Sequence, residues 1–94
     1  MNWIDLHADT PLRLYRNRGS LEKNNFHLDV MRSTPFAHFL QCAALYCPAD
    51  VTDAKGFPFV LSMLDYFEGE IDKCREATLI RSATEFQAAW EAGK

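Results

Sequence analysis

Apolar and ionisable side chains alternate at the start of the chain. Over residues 4–9 the order is Ile4, Asp5, Leu6, His7, Ala8 and Asp9, and Pro11 ends the pattern shortly afterwards. Successive side chains of a β-strand point to opposite faces, so this alternation predicts a strand over about residues 3–9. One face of that strand is apolar, and the other carries three ionisable groups in a row.

A second strand is predicted from a different pattern. Residues 38–48 are nearly all apolar and end at Pro48, which is typical of a strand buried on both faces of a parallel sheet. If residues 3–9 belong to that sheet, their ionisable side chains are covered too, and we expect them to be hydrogen-bonded or bound to a cation. Residues 77–81 fit a further short strand or an extended link.

One helix is predicted before the second strand and one after it. The first begins at Pro11, with Asp9 or Thr10 as its cap, and ends at Gly19. The other covers about residues 57–74, where apolar side chains recur at helical spacing. This stripe consists of Val60, Leu61, Leu64, Phe67 and Ile71.

A last helix has recognisable ends. Ser82 is followed by Glu85, and Thr84 by Gln87, so either pair fits a capping box, and Gly93 fits a C-terminal cap. Its apolar face consists of Phe86, Ala89 and Trp90. Strands that alternate with helices predict the α/β class, with a parallel sheet covered by helices.

Composition narrows the class of protein. The chain has 94 residues, of which 48% are hydrophobic, as expected for one globular domain. The net charge is −3 and no basic block stands out, which argues against a nucleic-acid partner. No apolar run approaches the roughly 20 residues that cross a bilayer. We expect a cytoplasmic location, because the first strand leaves no room for a secretory leader and the cysteines form no CxxC pair.

His7 and Asp9 are the candidate metal ligands. Two residues apart on a strand, they lie on the same face with Cα atoms about 6.5–7 Å apart. A neutral imidazole nitrogen and a carboxylate oxygen suit zinc and similar divalent ions. The pair also lies at the carboxyl end of its strand, where α/β folds place their chemistry. The alternative is an edge strand with one solvated face.

A second His-x-Asp pair shows how often this pattern arises. His27 and Asp29 lie in the polar stretch 20–29, which we predict to be a loop. A loop histidine and a helix-capping Asp are the favoured interpretations there. Together with His7 and Asp9 they give an alternative four-ligand site, although nothing in the spacing requires it.

The stretch "IDLHADTP" resembles the opening of the membrane dipeptidase (renal dipeptidase-type) metallopeptidases, whose first barrel strand carries Asp-x-His-x-Asp followed by Pro. "HLDVMR" is similar to the family's Asp-x-x-Arg segment, here Asp29 and Arg32. "LQCAALYCP" is similar to its second strand, in which Cys42 and Ala43 replace common aromatics. The positions of this second segment that match the family are Gln41, Tyr46 and Pro48.

The resemblance implies a (β/α)₈ TIM barrel that hydrolyses dipeptides through two divalent metal ions, usually zinc. His7 and Asp9 carry over as ligands of one metal, and no residue of the chain carries over as a catalytic acid, base or nucleophile. Asp5 matches the family pattern without a ligand role, and His38 is expected to be structural. The metals lower the pKa of a bound water so that hydroxide forms near neutral pH.

The length departs from the family. A barrel needs roughly 250 residues, so residues 1–94 correspond to its first βα units, the N-terminal part of a single domain. The family's bridging Glu and two further histidines follow later. We therefore expect this segment to be inactive alone. Its expected partners are the dipeptide substrate, and either the remainder of the barrel or a second copy that associates through exposed strands.

Two other functions remain open at this point. A stand-alone binding or assembly module without catalysis is favoured by twelve aromatic residues in so short a chain. The other alternative is another amidohydrolase-type metal-dependent hydrolase, because these enzymes also begin with a histidine-bearing strand. Those enzymes more often carry His-x-His, so Asp9 in the second position favours the dipeptidase.

Overall fold

Two strands and four helices follow one another along the chain. The computed structural model describes residues 1–94 and contains, in order, β1 (Asn2–Ala8), α1 (Thr10–Asn17), α2 (Val30–Ser33), β2 (His38–Ala43), α3 (Asp53–Asp72) and α4 (Ala83–Glu91). The strands form one parallel two-stranded sheet. The predicted α/β class is therefore confirmed, as are both predicted strands. None of the four helices combines the length and apolar character that crossing a bilayer requires.

The sheet contains an irregularity near the end of β1. Pairing is regular from Asn2 opposite His38 to Asp5 opposite Gln41, but Ala8 then lies opposite Ala43. Three steps along β1 thus match two along β2, so β1 holds one extra residue, as in a β-bulge. The bulge interrupts the alternation of side chains that the sequence shows over residues 4–9.

The prediction that both faces of the sheet are buried is wrong. Ile4 is 63% and Leu6 is 77% exposed, and every residue of β2 is half-buried or exposed. The reason is that α1 packs on α3, and no helix packs extensively on the sheet. Each strand also has one edge without a neighbouring strand.

Helix α1 begins as predicted but ends differently. Asp9 occupies the N-cap position and Pro11 lies in the first turn, where its missing N–H costs nothing. The left-handed residue after the helix is Arg18 (φ 50°), not Gly19. The Gly19 N–H donates to the carbonyl of Leu14 at 2.9 Å, which closes the last turn.

The hydrophobic core lies between α1, α3 and the segments that follow each of them. It consists of Leu14, Leu21, Phe67, Ile71 and Cys74. The hydroxyl of Tyr66 donates to the carbonyl of Gly19 at 2.7 Å and ties the end of α1 to α3. Burial raises the pKa of the Cys74 thiol, so this cysteine behaves as a packed apolar side chain.

Two carboxylates hold the loop 18–29 against this core. Glu70 of α3 is buried and accepts a hydrogen bond from the Leu21 N–H at 3.1 Å. Asp29 accepts from the N–H groups of Asn24 (3.0 Å) and Arg32 (2.8 Å), and from the Arg32 Nε (3.0 Å). The interpretation of Asp29 as a helix cap is thereby confirmed, since the Arg32 N–H belongs to α2.

Helix α3 starts four residues before the predicted boundary, at Asp53 instead of residue 57. Pro58 therefore lies inside the helix and removes one backbone hydrogen bond from its second turn. Phe67 and Ile71 of the predicted stripe are buried, whereas Leu61 is 49% exposed. The stripe is shifted because Met63 and Glu70 are the other buried residues of α3.

Strand β2 and the segments after α3 are partly as predicted. Strand β2 stops at Ala43, short of the predicted residue 48, although the Ala44 N–H still donates to the carbonyl of Ala8 at 2.9 Å. Residues 77–81 form an extended link without a strand partner. At the start of α4, the Ser82 hydroxyl accepts from the Glu85 N–H at 3.1 Å, which confirms one of the two proposed caps. Gly93 has a φ of 81°, as a C-terminal cap requires.

Replacing Asp29 tests the anchoring of the loop. Burial raises the pKa of the Asp29 carboxyl, but hydrogen bonds from Asn24 and Arg32 outweigh this effect and bring the pKa below its ordinary value. We expect Asp29→Asn to lower the free energy of unfolding by about 2 kcal/mol near neutral pH, measured by urea denaturation. An exposed control, Asp65→Asn, should change it by less than about 0.5 kcal/mol.

The pH dependence follows from the direction of this pKa shift. The stability that Asp29 contributes is present above its unfolded pKa and is lost as the pH falls through the lower folded pKa. The difference in the free energy of unfolding between the wild type and Asp29→Asn should therefore become smaller below about pH 4. A difference that is constant down to strong acid would contradict the role assigned to this carboxylate.

Candidate metal site

The predicted ligand pair meets at the carboxyl end of β1. The Nε2 atom of His7 lies 3.0 Å from Oδ1 of Asp9, across the junction between β1 and α1. The side chains are 67% and 53% exposed, so the expectation that a covered strand would bury them is wrong. The structure does bring the two predicted side chains into direct contact.

Asp9 occupies a position where its carboxylate would ordinarily serve the helix. An N-cap Asp usually accepts from the N–H of the second or third helical residue. Here the side chain makes no such bond, and only the backbone carbonyl of Asp9 accepts, from the Leu12 N–H at 3.1 Å. The carboxylate is therefore free to face His7, at some cost to the start of α1.

The two candidate donor atoms share a hydrogen bond and lie slightly closer together than two ligands of one metal ion do. Zinc binds nitrogen and oxygen ligands at about 2.0–2.2 Å in a tetrahedron, which places neighbouring donors about 3.3 Å apart. The observed 3.0 Å between His7 Nε2 and Asp9 Oδ1 needs only a small rearrangement to reach that value. The pair thus fits two positions of a metal site, but no group of three or more His, Cys, Asp or Glu side chains is placed to hold a metal.

A cross-strand hydrogen bond lies beside this pair. The Gln41 side chain donates to the Asp5 carboxylate at 3.0 Å and links β2 to β1 one step before the bulge. Gln41 matched the family's second strand, but the resemblance gave it no role. It is a polar residue inside the apolar run 38–48, which could have indicated a buried polar contact. The parallel register places Asp5 opposite it.

The second His-x-Asp pair takes no part in the site. All the hydrogen bonds of the Asp29 carboxylate go to Asn24 and Arg32, and His27 is exposed without a side-chain hydrogen bond. The alternative site formed by four ligands is therefore not formed. The Asp29–Arg32 ion pair instead explains why these two residues occur together in the sequence.

His38 has a packing role, as expected. Its ring stacks on Trp90 of α4 with centroids 3.6 Å apart and planes inclined by 12°. Its Nδ1 lies 2.9 Å from the carbonyl oxygen of Lys94. The histidine therefore attaches the last helix to the start of β2, far along the strand from the carboxyl end.

Comparison of the chain with family models, with curated proteins and with solved structures gave no significant match. The resemblance to the membrane dipeptidases thus stays a prediction from the motif residues.

Metal binding by the pair is directly testable. In a protein that carries this chain together with the remaining ligands, His7→Ala removes one donor, and bound zinc measured by plasma emission spectrometry should fall by at least about tenfold at limiting metal. His27→Ala, the histidine of the other His-x-Asp pair, should leave the bound metal unchanged. Full occupancy in His7→Ala would remove His7 from the ligand set.

Proposed function

We propose that this chain is the N-terminal part of a (β/α)₈ barrel enzyme that hydrolyses dipeptides with two divalent metal ions, zinc in the first place. The observation that carries the proposal is the contact between His7 and Asp9 at the carboxyl end of β1, with an Asp9 carboxylate that does not cap its helix. The Asp9 carboxylate contacts His7 instead of stabilising the N-terminus of α1, so the start of the helix lacks the usual side-chain cap.

The arrangement of the strands supports the same proposal. Consecutive strands of a barrel are parallel neighbours, and active sites lie at their carboxyl ends. Strands β1 and β2 are parallel neighbours, and the candidate ligands lie at that end of β1. Each strand has a free edge, and the apolar side chains of Ile4 and Leu6 are exposed, so further strands and helices have surfaces on which to pack.

The side chains of this segment have defined tasks in the proposed enzyme. When bound, the two metals supply a water with a lowered pKa and polarise the scissile carbonyl. His7 and Asp9 would hold and orient one metal, and neither would act as nucleophile or general base. Asp5, fixed by Gln41, keeps β1 and β2 in register next to the ligands. A bridging carboxylate and two further histidines belong to later parts of the barrel.

We place this reaction in the cytoplasm. The three cysteines are all free, and Cys42 is exposed, a state that a reducing compartment maintains.

The test compares the 94-residue chain with a longer protein that includes the downstream coding sequence. With added zinc, we expect the short chain to release no amino acids from a panel of dipeptides, measured by ninhydrin detection, because two donors bind metal weakly. The longer protein should hydrolyse them, and Asp9→Asn should lower its kcat/KM by about 100-fold or more. His27→Ala serves as the matched control and should keep full activity.

The outcomes separate the three functions. Turnover by the short chain above that of zinc alone would contradict the proposal, as would an inactive longer protein that binds metal. Hydrolysis of other amides or esters but not of dipeptides would favour a related metal-dependent hydrolase. A downstream sequence without a strand that ends in Glu, and without two later histidines, would favour the non-catalytic module.

A further inference from the structure

Three exposed arginines lie on α1 and its C-terminal cap: Arg13, Arg16 and Arg18, here called the arginine row. Residues 10–21 contain these three cations and no acidic residue, whereas the rest of the chain carries seven cations and thirteen acids. All three side chains belong to exposed residues. Residues 10–21 therefore carry a local excess of positive charge on a protein whose net charge is negative.

Aromatic rings fix the position of Arg18. Its guanidinium carbon lies 4.8 Å from the ring centre of Tyr15 and 5.3 Å from that of Tyr66. The Tyr66 ring is itself held, because its hydroxyl donates to the Gly19 carbonyl. Stacking on an aromatic face attracts a cation and leaves the N–H groups at the guanidinium edge free to donate.

The other two arginines are supported in the same way. The guanidinium of Arg13 lies over the ring of Phe26 at 5.6 Å, and that of Arg16 lies over Phe59 at 5.9 Å. A guanidinium that is already oriented loses less side-chain entropy when it binds an anion. The row therefore presents three cations on an aromatic base formed by α1, α3 and the loop 18–29.

Only one of the three arginines has an anionic partner within the chain. Arg16 donates through Nη2 to both carboxylate oxygens of Asp50, at 3.1 and 3.2 Å. Arg13 and Arg18 form no salt bridge. The Asp50 side chain is 72% exposed, so this ion pair is a weak surface contact. Arg16 thus already holds a carboxylate, whereas Arg13 and Arg18 have none.

We propose that the arginine row is a docking site for an acidic segment of a partner polypeptide whose carboxylates lie about one helical turn apart. Arg13 and Arg16 are three residues apart on α1, which brings their Cβ atoms to about 5–6 Å. Asp50 shows within the molecule that the row accepts a carboxylate. The proposal concerns a face of α1 that His7 and Asp9 do not share, and it stands independently of the dipeptidase.

The structure favours a polypeptide over two other polyanions. Single-stranded nucleic acid gains much of its affinity from bases stacked on aromatic rings, but guanidiniums already lie on the ring faces here. Anionic lipid attracts basic side chains by about 1 kcal/mol each, so stable attachment by three arginines needs an apolar face that inserts as well. The apolar face of α1 is buried, with Leu14 fully inaccessible. Carboxylates on a folded or helical segment need neither feature.

The test uses the complete 94-residue chain and a fluorescein-labelled helical peptide with glutamates at i, i+4 and i+7. We expect binding by fluorescence anisotropy at low ionic strength, and about tenfold weaker binding by the double variant Arg13→Gln/Arg18→Gln. Arg75→Gln removes an exposed, unpaired arginine outside the row and should leave the affinity unchanged. A peptide with glutamine in place of glutamate should not bind.

Asp50→Asn gives an independent measurement in the opposite direction. It frees Arg16 from its internal carboxylate, so the acidic peptide should bind about two- to fivefold more tightly. Circular dichroism shows whether each variant keeps its helices, and only folded variants are compared.

Three results would overturn the proposal. They are an affinity that is unchanged in the folded double variant, an affinity that Asp50→Asn does not raise, and tighter binding of an oligothymidylate or of phosphatidylserine vesicles than of the peptide. The last result would assign the row to another class of partner.

Discussion

A backbone N–H group that leaves water needs an acceptor, and the loop between α1 and α2 has no strand or helix to supply one. Glu70 and Asp29 provide these acceptors from inside the molecule. Only 12 of the 94 residues are buried, so the small core depends on the loop that covers it. Leu21 belongs to the core, and its N–H is paired with Glu70. The loop that completes the packing of α1 on α3 is therefore held by two carboxylates that a pattern of apolar residues does not reveal.

The local elements were predictable where the governing interaction is close in sequence. The alternation over residues 4–9 identified β1, and the Ser82–Glu85 spacing identified the start of α4. The position of the buried stripe of α3 was less predictable, because it is set by contacts with α1 and with the loop. Leu61 has the right spacing but is 49% exposed, whereas Glu70 is buried, with its carboxylate paired to the Leu21 N–H and to Lys73.

The candidate site was predictable in its composition but not in its surroundings. The spacing of His7 and Asp9 predicted that their side chains meet, and the structure brings them together, although Asp9 lies after β1 at the N-cap of α1. Their exposure could not be foreseen, since it depends on whether helices cover the sheet. The register is a second such case, because the extra residue between Asp5 and Ala8 leaves no mark in the pattern of apolar and ionisable residues.

That extra residue bears on how the protein avoids unwanted assembly. An uncovered strand with apolar side chains is a template for stacking of identical chains, and fibril-forming segments need about six residues of unbroken pairing. In β1 the regular ladder extends only from Asn2 to Asp5 before the backbone changes register. This four-residue ladder is shorter than the length that such segments pair over. The change of register thus also limits β1 as a template for fibril stacking.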